Sequence, residues 1–144
     1  MTWTEFLSPV LRIVGAGLIV QSFAHIHLHK RLKWSEEAAR MSPFNAAVFH
    51  VHTFFICVVL VMMGLPLLVD PALILERSRP GAWAAWFLCI FWGCRLVCQF
   101  VTYKREWWEG KKFESAMDTV FTGVWAALTI IFGLCGAIQA GWIL

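Results

Sequence analysis

Charged residues are scarce in this chain. Only 15% of its 144 residues are Asp, Glu, Lys or Arg, against about 25% in an ordinary soluble domain, while 60% are hydrophobic. A freely soluble globular fold is excluded on that balance, and a net charge of +3 gives no support to DNA or RNA binding. Several motifs are also missing. There is no Walker A loop, no G-x-G-x-x-G, no H-E-x-x-H and no G-x-S-x-G, which removes the sequence basis for nucleotide use and for the common hydrolase chemistries. The five cysteines, Cys57, Cys89, Cys94, Cys98 and Cys135, form neither C-x-x-C nor C-x-x-C-H. All fall in apolar stretches, so a disulfide framework and covalent haem attachment are not expected. Their ordinary role is that of small hydrophobes.

What fills the chain is four long apolar runs, Leu7–Leu28, Phe44–Val69, Ala82–Val101 and Ala116–Trp142, each near the roughly 20 residues that a helix needs to cross a bilayer. Barrel strands would alternate in polarity over about 10 residues, and these runs do not alternate. The expected fold is therefore an all-α integral membrane protein, a four-transmembrane-helix bundle with short connectors, formed as one domain over residues 1–144. Ser8 before Pro9 and Ser42 before Pro43 predict N-caps followed by proline in the first turn. Pro80 and Gly81 mark the entry to the third helix, an extension of which through Tyr103 to Trp108 is expected to end at Gly110. The first run has no basic start and is too long for a secretory signal, so it is expected to be retained.

Lys and Arg set the expected orientation. Lys30, Arg31, Lys33 and Arg40 lie in the first connector and Lys104, Arg105, Lys111 and Lys112 in the third, against Arg12, Arg77 and Arg79 on the other side. The positive-inside bias puts connectors one and three in the cytoplasm and both termini outside, in a bacterial inner membrane. Glu36 and Arg40 are spaced for an i, i+4 pair on a short interfacial helix.

Polar residues inside lipid are costly and mark function. His25 and His29 share a face near the cytoplasmic end of the first span, His27 points away, and His50 and His52 start the second span about 200° apart. Three readings compete. The histidines are interfacial hydrogen-bonding groups with no ligand. Alternatively, His25, His29 and His50 or His52 bind iron, copper or zinc, with Asp118 as a carboxylate ligand. Or one imidazole from each helix holds a single b-type haem, for redox chemistry on a lipid-soluble substrate. No second histidine pair exists near the opposite face, which argues against a two-haem path across the membrane.

Arg95, with Gln99 one turn on, faces Asp118 and Thr122 at the same end, bordered by Tyr103, the single tyrosine. An Arg95–Asp118 ion pair is expected, fixing the fold or gripping an anionic headgroup or a quinone carbonyl. On the last helix Gly133, Ala137 and Gly141 recur every four residues, as in helix packing or a homodimer seam. A non-catalytic accessory subunit of a larger membrane complex and a small dimeric carrier are the alternative functional classes.

Overall fold

A computed structural model of the chain describes residues 2–143. It is all-α, with no strand among the described residues. Six helices follow in order: α1 (Trp3–Arg31), α2 (Trp34–Ala38), α3 (Pro43–Val69), α4 (Ala72–Leu75), α5 (Arg79–Val101) and α6 (Lys112–Gln139). Of these, α1, α3, α5 and α6 are long and apolar enough to cross a membrane, which is the mark of an integral membrane protein. Two compact units are distinguished, one holding Ser8–Pro71 and the other the described residues up to Leu7 and from Ala72 onward.

Helix ends follow local chemistry, with corrections to the sequence reading. Helix α1 begins five residues before Ser8, so Pro9 lies inside it and Ser8 is no cap. The start is a reciprocal box instead: Glu5 N–H donates to Thr2 Oγ1 at 3.3 Å and Thr2 N–H donates to Glu5 Oε2 at 2.7 Å. Helix α3 starts as expected, with Ser42 Oγ accepting from Asn45 N–H and Pro43 in the first turn. Ser78 caps α5 in the same way, accepting from Gly81 N–H at 3.1 Å. Helix α5 stops at Val101, so it does not extend to Trp108. A single 3-10 turn over Arg105–Trp107 follows instead, and Gly110 turns the chain at a φ of +80°.

In the unit formed by Ser8–Pro71, α1 and α3 run antiparallel. Their closest approach is Gly15 against Gly64: a Cβ on Gly15 would meet Gly64 O at 2.5 Å and Leu68 N at 2.6 Å. Lipid offers no hydrophobic drive to bring helices together, so such backbone-to-backbone approach is a main source of packing energy. Farther along the pair, Ser22 Oγ donates to Cys57 O at 3.0 Å and Cys57 Sγ donates to Ser22 O at 3.6 Å. Toward the other end, Arg12 Nη1 donates to Leu68 O at 2.6 Å and Val69 O at 3.1 Å, satisfying carbonyls that the end of α3 leaves open.

In the second unit, α5 and α6 form an antiparallel pair with Ala85, Trp92, Phe132 and Cys135 buried. Gly136 is the tight point, where a Cβ would sit 2.7 Å from the Trp86 ring. Of the three small residues singled out on α6, Gly133 lies beside Cys89, within this pair. Gly141 lies past the helix end at a φ of +74°. There Trp142 N–H reaches Ala137 O and Gly141 N–H reaches Ile138 O, the bonding of a Schellman terminus. The α4–α5 turn is tied to that end by Gln139, whose Nε2 donates to Ile74 O and Glu76 O at 2.8 Å each while its Oε1 accepts from Ser78 N–H.

Substituting Gly15 with Val should lower stability in detergent by about 1–3 kcal/mol, as overpacking does. Gly17, with nothing within 4 Å of a built Cβ, should accept Ala with little change. Thermal unfolding of both variants checks this, and equal melting temperatures would refute the close approach.

Candidate functional site

Both groups of polar residues singled out in the sequence are assembled locally, and each lies within one unit. In the first unit, His25, His29 and His50 join an aromatic cluster with Trp34 and Phe49. The His29 and His50 ring centroids are 6.1 Å apart, His29 is edge-on to Trp34 at 6.0 Å, and Trp34 is edge-on to Phe49 at 5.8 Å. His25 lies 6.5 Å from Trp34. His52 is exposed and bonds back to its own helix, Nδ1 to Val48 O at 2.8 Å; His25 does the same to Gln21 O at 2.9 Å. A carbonyl only accepts, so in both rings Nδ1 carries the proton, and in a neutral imidazole Nε2 is left as the base. His29 Nε2 lies 3.4 Å from Ser35 Oγ.

Among the described residues, no group of three or more His, Cys, Asp or Glu side chains is placed to hold a metal ion. Asp118, considered above as a carboxylate ligand, is engaged elsewhere. The histidines are brought together as a pair with aromatic neighbours, and His27 is exposed. In the connector beyond them Arg40 pairs with Glu37 and Lys33 with Glu36, each at 3.5 Å, so the expected Glu36–Arg40 pair is replaced by two exposed i, i+3 contacts of small energetic weight.

The second group lies on α5 and α6. The expected Arg95–Asp118 ion pair does not form. Gln99 stands between them: Arg95 Nη1 donates to Gln99 Oε1 at 3.1 Å, and Gln99 Nε2 donates to Asp118 Oδ1 at 2.6 Å. Gln99 is buried at 8% exposure, while Arg95 and Asp118 are half-buried. The strip continues on α6, where Thr122 Oγ1 donates to Asp118 O at 2.7 Å. Helix geometry explains the reach. Gln99 is one turn past Arg95 on the same face, and in the antiparallel pair its amide arrives opposite Asp118 while the guanidinium lies a turn deeper.

Aromatic rings cover the guanidinium. Arg95 Cζ is 5.1 Å from the centroid of Trp125 and 5.4 Å from that of Tyr103, an arrangement in which a cation gains about 0.5–2 kcal/mol according to its desolvation. Trp125 is itself stacked with Phe121, at 5.4 Å and 12°, and with Trp92, at 5.0 Å and 15°. Trp92 and Trp125 are almost fully buried, and their indole N–H groups have no hydrogen-bond partner. The sequence reading passed over these rings. Their signal was the spacing: Trp92, Arg95 and Gln99 fall at i, i+3 and i+7 on α5, and Asp118, Thr122 and Trp125 at i, i+4 and i+7 on α6.

The hydrogen-bond accounts of this strip are uneven. A guanidinium has five N–H donors. One is used by Gln99, and among the described residues no carboxylate lies within ion-pair distance of Arg95. Arg95 lies about 9 Å inside the end of α5, counted over the six residues to Val101, beside the two buried indole donors that lack acceptors.

Comparisons of the chain with family models, with curated proteins and with solved structures return no match. The class therefore rests on the chain itself: an all-α integral membrane protein with four membrane-length helices.

A double-mutant cycle with Gln99→Ala and Asp118→Ala should give a coupling of about 0.6–2 kcal/mol, the range for hydrogen bonds between membrane helices. Reversible unfolding in mixed micelles measures it, and additive effects would show that the 2.6 Å contact carries no energy.

Proposed function

We propose that this chain binds a lipid-soluble molecule through an acceptor group on its head, and that Arg95 is the residue that holds it, with Gln99, Asp118 and Tyr103 positioning the guanidinium. The supporting observation is the arginine's incomplete hydrogen bonding in a segment where an uncompensated charge costs about 2.5–3.5 kcal/mol on insertion scales. Arg12, by contrast, ends on two backbone carbonyls at the end of α3. Native mass spectrometry of protein released from its own membranes in mild detergent tests the reading. Wild type should carry a small-molecule adduct that Arg95→Gln loses; adduct-free spectra for both would sink it and shift weight to a non-catalytic accessory subunit of a larger complex.

A second reading keeps the histidines as ligands for a metal ion or a single b-type haem. It is favoured by the 6.1 Å approach of His29 and His50, one from each helix, and by the Nδ1 bonds that leave Nε2 of His25 and His52 available as a base. Metal-ligating histidines ordinarily use their second nitrogen in that way. The same spectra, together with an absorption spectrum, decide it. A metal or haem mass and a Soret band lost in the His29→Ala, His50→Ala double variant would support the cofactor, and their absence from wild type would remove it.

The membrane is proposed to be the bacterial inner (cytoplasmic) membrane, with the α1–α3 and α5–α6 connectors in the cytoplasm and both termini outside. The eight Lys and Arg of those connectors support this orientation. An alkaline phosphatase fused after Leu144 should be active, and an inactive fusion with a fluorescent C-terminal GFP counterpart would reverse the topology.

A further inference from the structure

The ligand class at Arg95 can be narrowed by counting charges and hydrogen-bonding groups, an inference that rests on the ligand-binding reading above. The strip of Arg95, Gln99, Asp118 and Thr122 holds one positive and one negative side chain, linked through Gln99 at 3.1 Å and 2.6 Å. It is therefore formally neutral. An anionic head entering beside Arg95 would place a second negative charge near Asp118 in a low-dielectric segment, where like charges cost most. The cations of the adjoining connector, Lys104, Arg105, Lys111 and Lys112, are all exposed, so water and salt weaken their help over a Debye length of about 8–10 Å. A neutral acceptor adds no such cost.

Among the described residues the buried side-chain polar atoms without a partner are both donors, the indole N–H groups of Trp92 and Trp125, and the half-buried Arg95 makes one side-chain hydrogen bond, from Nη1 to Gln99. A buried donor without a partner costs about as much as its full desolvation, and these two lie on adjacent stacked rings, one of them against Arg95. The surroundings are flat and aromatic, with Phe121, Trp125 and Trp92 in one near-parallel stack and Tyr103 on the other ring contact of the guanidinium. Arg95 itself is half-buried.

We infer that the site takes a neutral, flat, carbonyl-bearing lipophile of the isoprenoid-quinone class, with a carbonyl oxygen accepting from the Arg95 guanidinium. Binding alone is assigned, without electron transfer. Acceptance by a charged donor strengthens a carbonyl hydrogen bond, and the aromatic neighbours suit a ring rather than a tetrahedral phosphate.

Titration of the purified protein in detergent micelles with decylubiquinone, read by quenching of tryptophan fluorescence, tests the inference, with oleate as the anionic competitor. Decylubiquinone should bind saturably, and Arg95→Gln should weaken it about ten- to a hundredfold, the equivalent of one charge-assisted hydrogen bond. Oleate should compete poorly. Trp125→Phe, which keeps the ring stack and removes one donor, provides a second variant should Arg95→Gln fail to fold, and should weaken binding by a smaller factor. Saturable oleate binding that depends on Arg95, with none of decylubiquinone, would overturn the neutral class while leaving the ligand site. Absence of binding by either probe, or equal binding to wild type and both variants, would overturn the site as well.

Discussion

A polar group in a hydrocarbon layer has no water to fall back on, and that constraint orders most of what is seen in this chain. Hydroxyls inside the long helices turn back onto their own backbone: Thr53 to Phe49 O, Thr122 to Asp118 O and Thr129 to Trp125 O. Imidazoles do the same at His25 and His52. Groups that face a neighbouring helix use that helix, as Ser22 and Cys57 do reciprocally and as Cys89 does to Thr129 O. Carbonyls at helix ends also receive long side chains from elsewhere in the fold, Arg12 at Leu68 O and Val69 O of α3 and Arg77 at Ile138 O of α6, which accepts from Gly141 N–H as well.

Packing follows from the same solvent. Lipid is as apolar as leucine, so burying apolar area does not by itself join two helices there, and contact depends on close fit. The two helix pairs find different fits. Between α1 and α3 the fit is backbone on backbone at Gly15 and Gly64, and between α5 and α6 it is a glycine under a ring, Gly136 beneath Trp86, followed by the Trp92–Trp125–Phe121 stack. The second arrangement places wide aromatic faces directly beside Arg95. A cation in that position gains from the rings without a carboxylate partner, which is why Asp118 is free to be engaged by Gln99.

The four spans were legible because a run of some 20 apolar residues admits no other reading. Starts and stops were less so. Ser42 and Pro43 were read correctly, yet the same pair of residue types at Ser8 and Pro9 lies inside a helix, because the capping box at Thr2 and Glu5 begins it a turn and a half earlier. Gly141 fits a small-residue repeat in the sequence, but its backbone conformation assigns it to a helix terminus. The periodicity placed Arg95, Gln99 and Asp118 on facing strips correctly and paired the wrong two. Sequence spacing gives the face of a helix but not the stagger between two helices, and a stagger of one turn decides whether Arg95 or Gln99 arrives opposite Asp118. For the histidines it was legible that those of α1 and α3 meet at one end, but not that His29 rather than His25 is the one beside His50, and the metal reading's further ligands were not found together among the described residues.

Hydrogen-bond accounting sets the long polar side chains that end on backbone carbonyls apart from Arg95, which ends on a side chain. Gln139 shows the structural case: both amide hydrogens and the oxygen are engaged by backbone of the α4–α5 turn. Arg12 likewise ends on two carbonyls. Arg95 is of the same chemical type as Arg12 and lies in a long apolar helix, yet it spends one donor on a side chain that is itself committed to Asp118, while the indole donors of Trp92 and Trp125 are left without acceptors. If the strip served only to lock α5 to α6, the Gln99–Asp118 bond would suffice and an apolar residue at position 95 would cost less in lipid. Arg95 instead bonds the oxygen of the amide that reaches Asp118, and the ligand-binding reading proposed above supplies a further acceptor for the rest of its guanidinium.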